Sequence, residues 1–239
     1  MSYNGTPVMA DDTMRPGGFT ITDRAMQFCN FTSRVRLADI GCGLGATVRY
    51  LEREYGLTAV GLDWDSACVT EAQARTGESA GRYDNLPDRL IVGDARDMPF
   101  ADSSLDGLLF ECSFSKMEPP QAVLTECRRV LKSGGYWICS DLYARRKPAA
   151  AHGGRDATGR FDTRQMIVER AQANGFEVRL FEDHTPALQA MVGQMILDGG
   201  MESLRENLGV GREERREIGC GYYLMIAVMP ENNIVSTEI

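Results

Sequence analysis

The chain is acidic overall: its 239 residues contain 26 Lys plus Arg against 34 Asp plus Glu, a formal net charge of -8. This charge disfavours a broad surface for nucleic acid or anionic membranes, and the 43% of hydrophobic residues include no run long enough to cross a bilayer. We therefore expect no nucleic-acid partner and no membrane insertion.

Cysteine usage and the chain start indicate a reducing compartment. The seven cysteines are scattered without a Cys-x-x-Cys pair, and the two histidines are too few to complete an ordinary zinc site. Residues 1–18 lack the basic-then-apolar order of a secretory signal. We expect a cytoplasmic protein without a metal, and the sequence carries no signal for its oligomeric state.

Strand-like and helix-like segments alternate along the chain. Val48, Leu51 and Tyr55 share one helical face, as do other apolar residues between the runs. Strands this apolar favour a parallel sheet that is covered by helices on both faces, so we predict a three-layer α/β/α sandwich. The strand-like apolar runs lie at residues 36–40, 58–62, 89–92, 105–112 and 136–140.

The regular alternation of strand-like and helix-like segments changes after the fifth predicted strand. A helix is expected at residues 163–173, a strand at 176–182 and an inserted helix at 186–198. A β-rich run at 222–228 then adds a last strand, which makes seven in the sheet.

A glycine-rich turn joins the first strand to the helix that follows. Asp39 and Ile40 lead into Gly41, Cys42, Gly43, Leu44 and Gly45. Glycines allow close backbone approach to a ligand, and the free amides of a helix N-terminus bind a carboxylate or phosphate. Gly41, Gly43 and Ala46 also satisfy the dinucleotide pattern Gly-x-Gly-x-x-Ala, so this segment alone leaves a nicotinamide cofactor open.

Carboxylates at three strand ends favour a cationic ligand. Asp63 ends the second strand, where it can accept hydrogen bonds from a ribose diol, and Asp94 follows the third, where it can accept one from an adenine amino group. A dinucleotide's pyrophosphate does not explain Asp39 and Asp94, because carboxylates beside a dianion cost free energy. A sulfonium ligand fits this pattern better.

Four motifs in order resemble the class I S-adenosylmethionine (SAM)-dependent methyltransferases that act on small molecules. The resemblance is strong over residues 36–142 and extends loosely to 229, and it implies an antiparallel last strand. The motifs are Asp39-x-Gly41-x-Gly43-x-Gly45, Gly61-Leu62-Asp63, Gly93-Asp94-Ala95 and Leu131-Lys132-Ser133-Gly134-Gly135.

The resemblance implies a division of the chain and a role for the loop. Residues 1–239 would form one domain, with an N-terminal lid or helical segment at 1–35, a SAM-binding core at 36–142, an acceptor-side half at 143–229 and a tail at 230–239. The loop with Gly41, Cys42, Gly43 and Gly45 would face the methionine part of SAM, and Asp39 would hold the loop and the amino group.

The resemblance also implies contacts for the rest of the donor. Asp63 would bind the ribose hydroxyls and Trp64 would lie beside the adenine, where an aromatic face gives stacking. Asp94 and the Ala95 amide would read the adenine edge. Glu111, with the two residues after it, would border the methionine part and the acceptor.

Two side chains are weak candidates for a catalytic base. Glu111 closes a very apolar strand, which favours either a carboxylate of raised proton affinity or one that simply binds backbone amides or water. His184 follows the sixth strand, where a base is possible, although a lone histidine near a turn is more often structural.

The acceptor side carries two further patterns. Asp141, Tyr143, Arg145 and Arg146 follow the fifth strand and would meet a polar or anionic acceptor, or form a solvated loop. The methionines of the inserted helix favour core packing over a pocket wall; they are Met191, Met195 and Met201.

The predicted function is methyl transfer from SAM to an unidentified small-molecule acceptor. Two alternatives stay open. A SAM-binding regulator or scaffold without turnover would share the donor motifs. An NAD(P)-dependent oxidoreductase would need a proton-transfer residue, such as that of a Tyr-x-x-x-Lys pair, and would bind NADH.

Overall fold

The computed structural model describes residues 13, 15–32, 34–77, 89–146, 155–156, 159–208 and 219–231. Its helices are α1 Thr20–Cys29, α2 Ala46–Tyr55, α3 Ser66–Gly77, α4 Pro120–Val130, α5 Arg164–Ala173 and α6 Thr185–Leu208. Its strands are β1 Arg36–Ile40, β2 Thr58–Asp63, β3 Leu90–Val92, β4 Leu105–Glu111, β5 Leu131–Ala144, β6 Arg155–Asp156, β7 Gly159–Arg160, β8 Glu177–Asp183 and β9 Cys220–Val228.

The main sheet has seven strands in the order β3-β2-β1-β4-β5-β9-β8. Strands β1 to β5 pair in parallel, and β9 is antiparallel to both β5 and β8. This confirms the predicted mixed sheet with an antiparallel last strand. The strand order reverses direction between β1 and β4, and in open α/β sheets ligands bind at such a point, beyond the carboxyl ends of the strands.

The apolar core lies on both faces of the sheet. Along β4, Leu108 and Phe110 belong to one buried cluster with α4 and α5, whereas Leu109 belongs to a second cluster with α1, α2, α3 and α6. Adjacent residues of a strand point to opposite faces, so a strand that is apolar throughout serves both clusters. The three-layer sandwich follows from this pattern.

The inserted helix and its methionines belong to this core. Helix α6 begins at Thr185 and runs to Leu208, beyond the predicted 186–198. Met191 is 6% exposed and Met195 packs against the same cluster, so both pack as core residues. The side chain of Met201 lies outside the described part of the chain.

Some element bounds differ from the sequence predictions. Strand β5 extends from Leu131 to Ala144 instead of 136–140, because β9 pairs with it from Tyr136 to Ala144. The ribbon of β6 and β7 was not predicted, since two-residue strands leave no period in the sequence. Tyr55 is 36% exposed at the end of α2 rather than buried with Val48 and Leu51.

Among the described helices, none combines the length and apolar character that a membrane span requires.

Candidate functional site

The glycine loop lies at the switch point, between the carboxyl ends of β1 and β4. Gly41, Gly43 and Gly45 have φ of 79°, 52° and 72°, which L side chains rarely adopt. A Cβ on Gly41 would lie 2.5 Å from Cβ of Ser113, whereas a Cβ on Gly43 would meet no atom within 4 Å. The loop therefore packs tightly at Gly41 and faces open space at Gly43.

One carbonyl and one carboxylate of β2 hold this loop by hydrogen bonds. The amides of Gly41 and Cys42 donate to Leu62 O at 2.7 and 3.2 Å. Asp63 accepts from the Gly43 amide at 2.8 Å through Oδ2 and from the Asp65 amide at 3.0 Å through Oδ1. Because a carboxylate has about four acceptor positions, Asp63 keeps capacity for hydroxyl donors from a ligand.

The Asp39 carboxylate is buried near this loop. Asp39 is 3% exposed on β1, between Gly61 of β2 and Leu109 of β4. No residue in the described part of the chain donates a hydrogen bond to its carboxylate. Burial raises its pKa well above the usual range, the nearby charges of Glu111 and Asp63 raise it further, and Arg15 opposes them. A buried carboxylate in this position favours a cationic partner.

Glu111 joins the N-terminal segment to helix α2. Its Oε1 accepts from Thr22 Oγ1 at 2.8 Å, and its Oε2 accepts from Thr47 Oγ1 and lies 2.6 Å from Arg15 Nη1. The Arg15 and Glu111 side chains are only 11% and 6% exposed. We call Arg15, Thr22, Thr47 and Glu111 the Glu111 cluster. Its contacts occupy both oxygens of Glu111, so a proton-accepting role for this residue stays a prediction.

The residues after Glu111 are also held in place. Cys112 has φ of 56°, and its amide donates to Ser140 O at 2.8 Å. Burial raises the pKa of the Cys112 thiol to about 12, so the thiol is protonated near neutral pH. Ser113 Oγ donates to Ile40 O at 2.7 Å. These bonds fix the backbone of β4 against that of β1 and β5.

The predicted adenine side is exposed. Trp64 is 83% exposed after β2, and Val92 is 50% exposed at the end of β3. Asp94 is bound by Arg96, with Nη2 at 2.5 Å from Oδ2 and the Arg96 amide at 2.8 Å from Oδ1. The Arg96 contacts hold the pKa of Asp94 below its usual range. A ligand amino group would have to share this carboxylate with Arg96.

His184 belongs to a different set of contacts. Its Nε2 lies 3.1 Å from Glu182 Oε2, and Arg24 of α1 donates to Glu182 Oε1 at 2.6 Å. The His184 amide donates to Tyr222 O at 2.7 Å. None of these described contacts reaches the Glu111 cluster. Catalysis by His184 stays a prediction.

The four residues expected after the predicted fifth strand lie partly within β5 itself rather than in a loop. Asp141 is 2% exposed and accepts from the Ser115 amide at 2.8 Å and from Ser115 Oγ at 3.0 Å. Tyr143 is buried against Phe181, with ring centroids 5.9 Å apart. Arg145 is exposed and lies 3.9 Å from Asp183. Because β5 continues to Ala144, only Arg145 and Arg146 of the four residues remain at the surface.

Sequence reasoning missed the partners of two predicted site residues. The sequence predicts a lid that includes Arg15 but no contact for its side chain, and Thr22 and Thr47 carry no pattern that sets them apart. Arg96, two residues after Asp94 in a turn, is the one partner that local spacing could have suggested.

Fold and site together define a class of protein: an α/β protein with a ligand site at a topological switch point. Three carboxylates, those of Asp39, Asp63 and Glu111, lie around the loop, and the buried guanidinium of Arg15 pairs with the carboxylate of Glu111. This balance suits a cationic ligand better than a pyrophosphate.

Comparison with known proteins identifies the family. Residues 38–139 match the family model described as a methyltransferase domain. The chain is 30% identical to the fatty-acid O-methyltransferase of Mycolicibacterium smegmatis, over 82% of this chain and 68% of that protein. It is 28% identical to methyltransferase GfsG of Streptomyces halstedii, over 56% of this chain and only 47% of that protein.

The solved structures agree on the fold. The crystal structure of the [4+2]-cyclase SpnF aligns with a TM-score of 0.69 and 23% identity, over 88% of this chain and 81% of that one.

The match to the methyltransferase domain and to the relative from Mycolicibacterium smegmatis shows the family. The chain belongs to the class I SAM-dependent methyltransferases, as its motifs predicted, and SAM is the cofactor of that family.

Proposed function

We propose that the chain transfers a methyl group from SAM to a small-molecule acceptor. The observation that carries the proposal is the buried Asp39 carboxylate, which has no hydrogen-bond donor among the described residues and lies near a glycine loop that is open at Gly43. SAM brings an ammonium group and a sulfonium, so it supplies the missing cationic partner.

The residues present fit such a donor. Asp39 would accept from its ammonium group, and the amides around Gly43 and Gly45 would face the methionine part. Asp63 would accept from the ribose hydroxyls while it holds the Gly43 amide. The exposed face of Trp64 would cover the adenine, and Asp94 with the Ala95 amide would bind its edge. Cys42 and Glu111 would complete the border.

Little acid–base chemistry is required of the chain. Bound SAM supplies an electrophilic methyl carbon, so the protein's tasks are alignment of the acceptor and exclusion of water. The segment from Arg15 to α1 lies beside the loop and would close that side of the site. Where an acceptor has a proton to lose, Glu111 and His184 remain the candidates to accept it.

Relatives differ in the acceptor that their names state, so the acceptor class stays open. One is a fatty-acid O-methyltransferase, whereas the name of GfsG gives no acceptor. We propose that the acceptor binds beyond β4 and β5, in the half formed by residues 143–229. The net charge of -8 supports a small molecule rather than nucleic acid, and the free state of the cysteines supports a cytoplasmic location.

Two alternatives make different predictions. SpnF is named a cyclase and shares this fold, so the fold alone does not require methyl transfer. A non-catalytic SAM-binding regulator would bind SAM without ever converting it. An NAD(P)-dependent oxidoreductase would bind NADH, which the surplus of carboxylates around the loop disfavours.

Calorimetric titration tests the proposal. Wild type, Asp63→Ala and Asp94→Ala are titrated with SAM, S-adenosylhomocysteine (SAH) and NADH. The matched control is Asp102→Ala, since Asp102 is exposed before β4, at the opposite end of that strand. We expect SAM and SAH binding that Asp63→Ala and Asp94→Ala weaken and Asp102→Ala does not.

An acceptor screen then separates enzyme from regulator. SAH release in the presence of small-molecule pools is measured for wild type and Asp63→Ala. Acceptor-dependent release by wild type alone supports methyl transfer. Tight SAM binding without release from any acceptor class would favour the regulator, and NADH binding without SAM binding would contradict the whole assignment.

A further inference from the structure

Arg15 makes more buried contacts than a surface lid residue needs. Its Nη1 bonds Thr47 Oγ1 at 2.7 Å and lies 2.6 Å from Glu111 Oε2, its Nη2 bonds Thr22 Oγ1 at 2.9 Å, and its Nε bonds Gly18 O at 3.1 Å. The guanidinium therefore touches the N-terminal segment, the first turn of α2 and the end of β4.

The charges around Asp39 explain why a cation is placed there. Glu111 from β4 and Asp63 from β2 bring negative charge toward Asp39, and the thiol of Cys42 faces it from the loop. Arg15 is the cation that acts on this group from the N-terminal segment, and Tyr222 of β9 and Cys112 also face Arg15. Without Arg15, two buried carboxylates would repel each other, and one would take up a proton.

We propose that Arg15 is a positioning residue of the donor site, which pairs with Glu111 so that the neighbouring Asp39 stays free and negative to bind the donor's ammonium group. This inference rests on the proposed function, because it requires an adenosyl donor with that group. Arg15 acts through Glu111 and Asp39 and is not assigned a contact with the donor.

The contact pattern separates this role from simple docking of the segment. Helix α1 is also held by Ile21, Ala25 and Met26 in the core and by the Arg24 bonds to Glu182. Docking therefore does not depend on Arg15 alone. If charge compensation is its function, removing the Glu111 charge should compensate for removing Arg15.

The experiment measures SAH affinity by calorimetry between pH 6.0 and 8.5 with the full chain. The variants are Arg15→Gln, Glu111→Gln, the double variant, Arg15→Lys and Asp39→Asn. Arg24→Met is the matched control, because Arg24 holds the same helix through an ion pair with Glu182. Circular dichroism establishes that each variant is folded.

A specific pattern is expected. Arg15→Gln weakens SAH binding about tenfold at pH 7. The pH at which SAH affinity is half-maximal moves up by about one unit, because the like charges of Asp39 and Glu111 are no longer compensated. The double variant returns to within about threefold of wild type, since the repelling charge of Glu111 is gone. Arg15→Lys keeps most of the affinity, Asp39→Asn binds weakly without a pH midpoint, and Arg24→Met matches wild type.

Other results would overturn the inference. A double variant as weak as Arg15→Gln would mean that Arg15 only docks the segment. Unchanged affinity in Arg15→Gln would mean that it has no role in donor binding. If Arg15→Gln does not fold, Glu111→Gln provides the test. The pH midpoint of its SAH affinity must then lie below that of wild type. Failure of wild type to bind SAH would instead contradict the proposed function itself.

Discussion

The ionised Asp39 carboxylate lowers the stability of the folded protein, although the proposed donor site requires it for binding. Because burial raises its pKa, the ionised group costs the folded state free energy at every pH above its ordinary value of ~3.9. The cost grows as the pH rises toward the folded-state pKa and is constant above it. A neutral side chain of the same shape avoids this cost.

We therefore expect Asp39→Asn to be more stable than wild type and worse at binding SAH. The gain should be about 1–3 kcal/mol at pH 8 and should fall below about 0.5 kcal/mol near pH 4, where the folded carboxyl is protonated and the unfolded one is only about half ionised. Urea unfolding at the two pH values measures it. Asp106→Asn is the control, because Asp106 is paired with Lys132 and should lose stability when neutralised. Equal losses in both variants would contradict this account.

Gly43 and Gly56 provide a matched pair of substitutions. Both have positive φ, of 52° and 63°, and a Cβ on either would meet no atom within 4 Å. Gly56 ends α2, away from the loop. Each Ala substitution should cost about 1–2 kcal/mol from the left-handed backbone alone. Only Gly43→Ala should weaken SAH binding, which calorimetry measures; the same affinity in both variants would remove Gly43 from the donor site.

Trp64 is one of two tryptophans, and the other, Trp137, is 1% exposed. Since Trp64 is 83% exposed, Trp64→Ala should change stability little. Loss of stacking should weaken SAH binding by about 1–2 kcal/mol. Wild-type fluorescence should change as SAH binds, and Trp64→Phe should abolish that change. Leu197→Ala, at an equally exposed position of α6, is the control with unaltered affinity. A ligand signal that persists in Trp64→Phe would place the adenine elsewhere.

At the scale of elements, helix α1 is part of the core rather than a separate cover. Ile21, Ala25 and Met26 are buried against the sheet, and Phe19 stacks on Tyr50 of α2 at 3.8 Å between ring centroids. Asp23 accepts from the hydroxyls of Tyr50 and Tyr55 at 2.6 and 2.8 Å. Any lid motion would therefore involve the residues before α1 first.

Hydrogen exchange tests the predicted lid. The amides of α1 should be protected with or without SAH, because their protection comes from core packing. The amides of Arg15 and of residues 17–19 should gain protection only when SAH binds; Pro16 has no amide hydrogen. Exchange of α1 as fast as that of the preceding loop would show that the whole N-terminal segment opens as one unit.

The sequence predicts elements and strand ends better than contacts between them. Apolar periodicity locates the strands, and each strand's carboxyl end then places Asp39, Asp63 and Asp94 on one edge of the sheet. The pairing of Arg15 with Glu111 joins residues far apart in the chain, so no local period reveals it. The length of β5 was underestimated because it depends on pairing with β9, which tertiary context decides.

At the scale of the molecule, the way the two halves share one sheet supports the proposed single domain. Strand β9, from the acceptor-side half, pairs with β5 along nine residues, and β5 also pairs with β4 of the donor-side core. Neither half can lose its strands without exposing the buried faces of the other. We infer that the two halves fold and unfold together.

Unfolding should therefore be a single cooperative transition that donor binding shifts as a whole. In urea, far-UV circular dichroism and the fluorescence of buried Trp137 should give coincident curves with one midpoint. SAH at about 100 times its Kd should raise the free energy of unfolding by about 2.7 kcal/mol in both signals, because the ligand binds only the folded state. NADH at the same concentration is the control and should shift neither curve. Two separated transitions, with SAH moving only one, would mean that the donor-side core is stable without the acceptor-side half.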